Sequence, residues 1–245
     1  MYGKKVAMLA MVVCSVVFIR MGTVEASEDI KEILVSGDYE YCILDDGTVQ
    51  ITNFYGTADK IEIPDEIGGK MVSEIWNRAF SDCPNLTGIK IPNSVKEIDD
   101  YAFVGCSITD IEVDADNKCF DVIDGVLYDI DEKELIYYPC GFTEEHFSVP
   151  QGIEKIGCYA FWGGTSLTSI EIPDSVTEIG YGAFYDCSSL TSIEIPNSVT
   201  EIGDNAFHGC ENLKITATDG LYAIQYAIDN GLDYEYIGQH DWLNN

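Results

Sequence analysis

The side chains able to carry chemistry are few, and their spacing does not assemble a catalytic set. Only three histidines occur, His146, His208 and His240, and none lies beside a second candidate ligand at metal-binding spacing. There is no His-Glu-x-x-His, no Gly-x-Ser-x-Gly, no phosphate-cradling glycine loop and no complete calcium loop. Gly163-Gly164 falls where the chain must reverse, so it reads as a turn rather than a ligand cradle. Two carboxylates facing each other across a deep cleft would suit a glycosidase, yet an acidic chain supplies carboxylate pairs by chance. The expectation is no enzyme, no cofactor and no dedicated metal centre, with a carboxylate-dependent hydrolase as the remote alternative.

The chain has nine cysteines, one of them, Cys14, inside an N-terminal apolar run. Such a count in an exported chain ordinarily suggests disulfides. Cys83, Cys106, Cys187 and Cys210 instead recur at one inward phase of an internal pattern, where stacked side chains point in parallel and the disulfide torsion is poor. They are expected to be buried, reduced thiols acting as small hydrophobes. Cys42, Cys119, Cys140 and Cys158 lie outside that phase, and their redox state stays open. No Cys-x-x-Cys supports zinc.

The elements that position these groups follow from a repeat. Ala-Phe pairs end at Phe80, Phe103, Phe161, Phe184 and Phe207, and three of the four intervals are 23 residues. Within each unit, as in Leu167-Thr-Ser-Ile170-Glu-Ile172-Pro173, apolar residues alternate with polar ones, the period of a short strand with one face in a core. Pro64, Pro92, Pro150, Pro173 and Pro196 share the position that ends the strand, where a missing N–H breaks no ladder. Val176 and Ile179 point back inward, Gly180 and Gly203 are read as permitting a tight corner, and Ala-Phe-x-x-Cys closes the coil. Stacked coils align like with like, so the phenylalanines are expected to form a spine that no single coil could bury. This predicts five or six coils, with strands on one face and irregular turns opposite.

The motif Leu-x-x-Ile-x-Ile-Pro-x-x-Val-x-x-Ile-Gly-x-x-Ala-Phe-x-x-Cys, recurring in phase, resembles the BspA-like leucine-rich repeats of bacterial surface and secreted proteins. The resemblance implies a leucine-rich repeat solenoid over residues 59–215, with a β insertion near 114–148 carrying an Asp124-Gly125 hairpin. An N-terminal β-hairpin cap over 27–58, turning at Asp45-Asp-Gly47, and a C-terminal cap and tail over 216–245, with helical spacing from Leu221 to Ile228, would close its ends. The resemblance also implies a protein or glycan partner, in adhesion or host contact.

Two surface arrays follow from the period. The residue after each Ala-Phe should project from the rim, which stacks Trp162 on Tyr185 and Tyr185 on His208, with Tyr159 and Tyr181 on the same corner. These five are the candidate partner-binding residues; the alternative has the rings lying flat over the corner or beneath the insertion. The second array is charged: Glu62, Lys90, Glu112, Glu171 and Glu194 line the outward strand position, and Glu74, Glu97, Lys155, Glu178 and Glu201 precede the second inward isoleucine. These read as a solvated surface, with weak divalent-ion binding between Glu171 and Glu194 or between Glu178 and Glu201 as the sharper reading.

Over 245 residues, 43 acidic against 13 basic side chains give a formal net charge of −30, which repels phosphate backbones and anionic lipids and so argues against nucleic acid as a partner. Lys4 and Lys5, the apolar run from Val6 to Ile19 and the Val24-Glu25-Ala26 cleavage pattern read as a signal peptide over 1–26, too short for a comfortable membrane span of roughly 20 residues. A secreted or cell-surface protein is expected, touching membrane only through that segment if it stays uncleaved. A ligand-free envelope spacer is the rival to a binding scaffold.

Overall fold

The computed structural model describes residues 32–81, 83–217 and 221–237. The signal expected over residues 1–26 lies outside them. Three strands open the described chain, β1 (Leu34–Ser36), β2 (Tyr39–Ile43) and β3 (Val49–Phe54), paired antiparallel in order. The turn between β2 and β3 is the one its Asp-Asp-Gly sequence prescribes, with Gly47 at φ 87.

The chain then winds through β4 (Lys60–Glu62), β5 (Glu66–Ile67), β6 (Lys70–Ile75), β7 (Gly88–Ile91), β8 (Glu97–Ile98) and β9 (Asp110–Val113). The insertion supplies β10 (Phe120–Ile123), β11 (Val126–Asp129) and β12 (Glu134–Tyr137). Regular coils resume with β13 (His146–Ser148), β14 (Lys155–Ile156), β15 (Ser169–Glu171), β16 (Glu178–Ile179), β17 (Ser192–Glu194), β18 (Glu201–Ile202) and β19 (Lys214–Ala217). Helix α1 (Leu221–Asn230) and β20 (Asp233–Tyr236) follow.

Parallel pairing joins β4-β7-β9 and β13-β15-β17-β19-β20 on one side of the coils. A second set, β3-β6-β8 and β12-β14-β16-β18, runs elsewhere around the coil. Strands were expected on one face only. The Glu-Ile and Lys-Ile dipeptides pair as well, because an inward isoleucine beside an outward charge is already a two-residue strand. The result is a β-solenoid of about 8 turns. The Ala-Phe pairs undercount it because the coil ending at β3 carries Phe54 against Phe80, one formed by β9, the insertion and β12 carries Tyr137-Tyr138 at its corner, and another closes through α1.

The core is two buried clusters meeting inside the insertion. Val126, Tyr128, Leu135 and Tyr138 belong to the C-terminal cluster, Leu127 and Tyr137 to the N-terminal one. The phenylalanine spine is present in two runs, Phe80–Phe103 at 5.8 Å between centroids and Phe161–Phe184–Phe207 at 4.8 and 5.2 Å. Each buried phenylalanine contributes about 1.5–3 kcal/mol. Threonine hydroxyls tie the coils at the surface: Thr191 donates to the Thr168 carbonyl and Thr200 to that of Thr177.

Gly180 and Gly203 have a different reason from the tight corner expected. Neither has a positive φ. A Cβ at Gly180 would lie 2.7 Å from the Cys158 nitrogen and 2.8 Å from the Gly157 carbonyl carbon, so glycine is required by the approach of the neighbouring backbone. At the C-terminal end, α1 buries Ala223 and Ala227 and lays Tyr226 against Phe207, but the strand ladder continues past it to β20.

Candidate functional site

One corner of the coil, between the Glu-Ile strand and the Ala-Phe pair, gathers the aromatic side chains. Directly before each Ala-Phe, Arg78, Tyr101, Tyr159, Gly182 and Asn205 all have φ between 54 and 66. Bulky residues are uncommon in this left-handed region, and here the turn imposes it coil after coil. The consequence is a set of side chains launched outward from the same point of successive coils. Gly182 leaves an empty place in that set, and Tyr159 fills it, because a Cβ there would lie 2.8 Å from the Tyr159 ring.

The rings form a connected run. Arg78 lies over the Tyr101 ring at 5.8 Å, and Tyr101 meets Tyr159 at 4.4 Å. Tyr159 also touches Tyr181 at 5.4 Å and Tyr185 at 5.8 Å, and Tyr185 meets His208 at 4.7 Å. Tyr101, Tyr159, Tyr181 and Tyr185 are half-buried and His208 is exposed. Burial pushes the Tyr101 hydroxyl up to about 12, and Tyr159 is raised by burial and by hydrogen bonding to Tyr181, so both remain neutral donors at physiological pH.

Tyr101 and Tyr159 belong to coils that are not adjacent. Leu135 pairs with Ile156, and Tyr138 N donates to Ala160 O as Phe161 N does to Ala183 O. The segment Leu135–Tyr138 therefore stands where Ile156–Phe161 stands in the next coil, with a shorter corner. Across that shorter corner the Tyr101 and Tyr159 rings meet. In the flanking segments Asp99 and Glu134 are half-buried and Asp100 is exposed. Burial, then Asp100, raises Asp99 to about 6 and Glu134 to about 7; burial also raises Asp100. The Cys158 thiol, buried beside Asp100, rises to about 12.

Comparison with protein families decides the relationship. A BspA type leucine rich repeat region, in 6 copies, matches residues 49–127 and 132–228. The chain belongs to the BspA-type leucine-rich repeat family. This is a family of bacterial surface proteins. No curated protein matches the chain in sequence. Among solved structures, this BspA-type chain is similar to a leucine-rich repeat protein from Eubacterium ventriosum ATCC 27560, at 21% identity and a TM-score of 0.49, covering 75% of this chain and 71% of that one. It is also similar to the T. pallidum leucine rich repeat protein, at 27% identity and 0.39, covering 78% and 77%. A leucine rich cell surface protein from Faecalibacterium prausnitzii A2-165 matches at 20% identity and 0.42, covering 89% and 98%.

Of the residues expected at the partner site, four of the BspA-type corner, Tyr159, Tyr181, Tyr185 and His208, come together, and Trp162 does not. Half-buried Trp162 makes no ring pair among the described residues; the face of Tyr185 expected to meet it is met by Tyr159 instead, through the space over Gly182. Arg78 and Tyr101 were missed. Their signal was available, since both precede Ala-Phe as Tyr159 does, but the deletion that brings Tyr101 to Tyr159 is visible only once the insertion is placed.

The carboxylates fall in the expected registers, with Glu171 opposite Glu194 and Glu178 opposite Glu201. Each is a pair and no more: among the described residues no group of three or more acidic, histidine or cysteine side chains is arranged to hold a metal ion. Two shallow concavities flank the coils, one lined by Phe54, Tyr55 and Asn85, the other by His208, Glu211 and Tyr226. Neither sets two carboxylates face to face, as a glycosidase would need. No described helix is long and apolar enough to cross a membrane. Cys187 and Cys210 are unbridged buried thiols that donate to the Phe161 and Phe184 carbonyls at 3.1 and 3.2 Å, a hydrogen bond the phase argument did not foresee. Cys119, Cys140 and Cys158 are unbridged too.

Proposed function

We propose that this chain is an exported, non-enzymatic scaffold, secreted or held at the cell surface, that binds a protein or glycan partner through the corner running from Arg78 to His208, in adhesion or host contact. The observation that carries this reading is the continuity of the ring run, in which Tyr101, Tyr159, Tyr185 and His208 touch one after another and Tyr181 joins at Tyr159, all staying part-exposed. A spacer without a ligand has no use for such a run, since the core is already filled by the phenylalanine spine. Tyrosines of this kind are enriched among the residues that dominate binding energy. The net charge of −30 favours cationic partners by steering.

The test is a binding screen of the protein against matrix proteins, cell-wall polymers and glycans, repeated with the Tyr159→Ala, Tyr185→Ala double variant. For a ligand that the wild type binds, the double variant should lose at least about 2 kcal/mol while keeping its thermal transition. Unchanged affinity in a folded double variant would eliminate the corner and move attention to the glutamate-bearing strand face.

A further inference from the structure

The strand ladders divide the described chain in two. Every pairing among β1 to β9 stays within residues 34–113, and every pairing among β10 to β20 stays within residues 120–236. No backbone hydrogen bond between described residues crosses from one set to the other, whether in a ladder or at a turn. A regular junction is built differently. Between the coil of β15 and β16 and that of β17 and β18 run two parallel ladders, the bond from Phe184 N to Ala206 O and the bond from Thr191 N to Thr168 O. Phe80 N and Phe161 N make the same corner bond to Ala102 O and Ala183 O, while Phe103 N makes no counterpart among the described residues.

What crosses this seam is carried by side chains. The insertion belongs by its ladder to the C-terminal set, through β12 and β14, yet it buries Phe120, Leu127 and Tyr137 in the N-terminal core cluster. Phe103 meets Tyr137 at 5.5 Å, Tyr101 meets Tyr159 at 4.4 Å, and Cys140 Sγ donates to Cys106 O at 3.0 Å. Asn117 fastens the crossover where the insertion begins. A regular junction also stacks apolar side chains, as Phe184 on Phe207 and Ile170 beside Ile193, and adds the ladders to them. Apolar packing is non-directional and tolerates tilting, whereas a ladder must break its hydrogen bonds to move. In a stacked array each junction adds its own interface term, and the array parts first where that term is smallest.

We propose that the solenoid is two rigid blocks, one ending with β9 and the other beginning with β10, hinged at this seam, which opens and closes without either block unfolding. The aromatic run crosses the seam where Tyr101 meets Tyr159, so it is continuous only while the blocks are closed. On the docking reading above, on which this consequence rests, a partner gripping both Tyr101 and Tyr185 engages the closed form and clamps the hinge shut.

The native thiols read the hinge without any partner, so its failure and that of the docking reading are separable. Cys106 and Cys187 occupy the same phase of their coils, are 1% and 0% exposed, and donate to the carbonyls of Phe80 and Phe161. Cys106 faces the seam, where its carbonyl accepts from Cys140, and Cys187 lies between coils joined by two ladders. Labelling of the folded protein with a soluble thiol reagent, resolved by peptide, should modify Cys106 at least ~10-fold faster than Cys187. In urea below the unfolding transition the Cys106 rate should respond weakly, because opening a seam exposes far less surface than unfolding, whereas the Cys187 rate should climb with the slope of global unfolding. Tyr101→Asn puts at the seam the residue that the last corner carries as Asn205, also at positive φ, and removes the ring contact to Tyr159. It should speed Cys106 labelling by a further ~3-fold or more and leave Cys187 unchanged. A Cys106 rate no faster than that of Cys187, or one with the same urea slope, overturns the hinge. Equal acceleration of both thiols in the variant does so too. Should the variant fail to fold, the contrast between the two thiols in the wild type decides alone.

Discussion

Tyr137 and Tyr138 are neighbours in sequence but serve different aromatic stacks. The Tyr137 ring meets Phe103 at 5.5 Å, closing the N-terminal run of the spine, and the Tyr138 ring meets Phe161 at 4.9 Å, opening the C-terminal one. One dipeptide thus joins two cores that share no phenylalanine ring pair among the described residues. It does so because successive residues of a short extended segment leave on opposite sides.

The Tyr138 hydroxyl is buried without a hydrogen-bond partner. Its ring already occupies a phenylalanine position in the stack. Tyr138→Phe should therefore stabilise the protein by about 1 kcal/mol, seen as a higher midpoint in urea with an unchanged slope. A loss of stability would show that an ordered water serves that hydroxyl.

Asn117 is the polar staple between the insertion and the preceding coil. It is 6% exposed, and its Nδ2 donates to the carbonyls of Pro92 at 2.8 Å and Val95 at 3.1 Å. Its Oδ1 accepts from the Cys119 and Phe120 amides. Asn117→Ala removes the partner of all four backbone groups, three of them on buried residues, and a loss of about 2–4 kcal/mol is expected by denaturant titration. A loss under about 0.5 kcal/mol would mean that the insertion is not fastened here.

At Gly203 an added Cβ would collide with the Tyr181 nitrogen and Cα and with the Gly180 carbonyl carbon, all backbone atoms of the preceding coil. These atoms cannot rotate aside. Gly203→Ala is expected to cost about 2 kcal/mol or more, although alanine ordinarily stabilises a glycine site with ordinary φ. A neutral or stabilising result in thermal melts would contradict the close approach.

Cys187 and Cys210 should stay reduced and unreactive in the folded protein. Both thiols are buried and hydrogen-bonded to backbone carbonyls, and burial raises both, Cys210 to about 12, so little thiolate forms near neutrality. Thiol-specific labelling with and without denaturant checks this. Recovery of the two in one disulfide-linked peptide would refute it.

The 23-residue interval, the proline that ends each outer strand, the inward isoleucines and the Ala-Phe-x-x-Cys closure were all legible in the sequence, because each is a local choice repeated in phase. Repetition also gave the charge registers, such as Glu178 against Glu201, since stacking like on like needs only the period. The tertiary structure alone decided what happens where the period fails. The length of the insertion does not reveal that Leu135 aligns with Ile156, that Tyr138 stands in for a phenylalanine, or that the corner there is shorter. From that one alignment come the broken ladder and the contact between Tyr101 and Tyr159. Periodicity fixes neighbours one coil apart; contacts that skip a coil depend on how an irregular segment packs, and packing is set by all its neighbours at once.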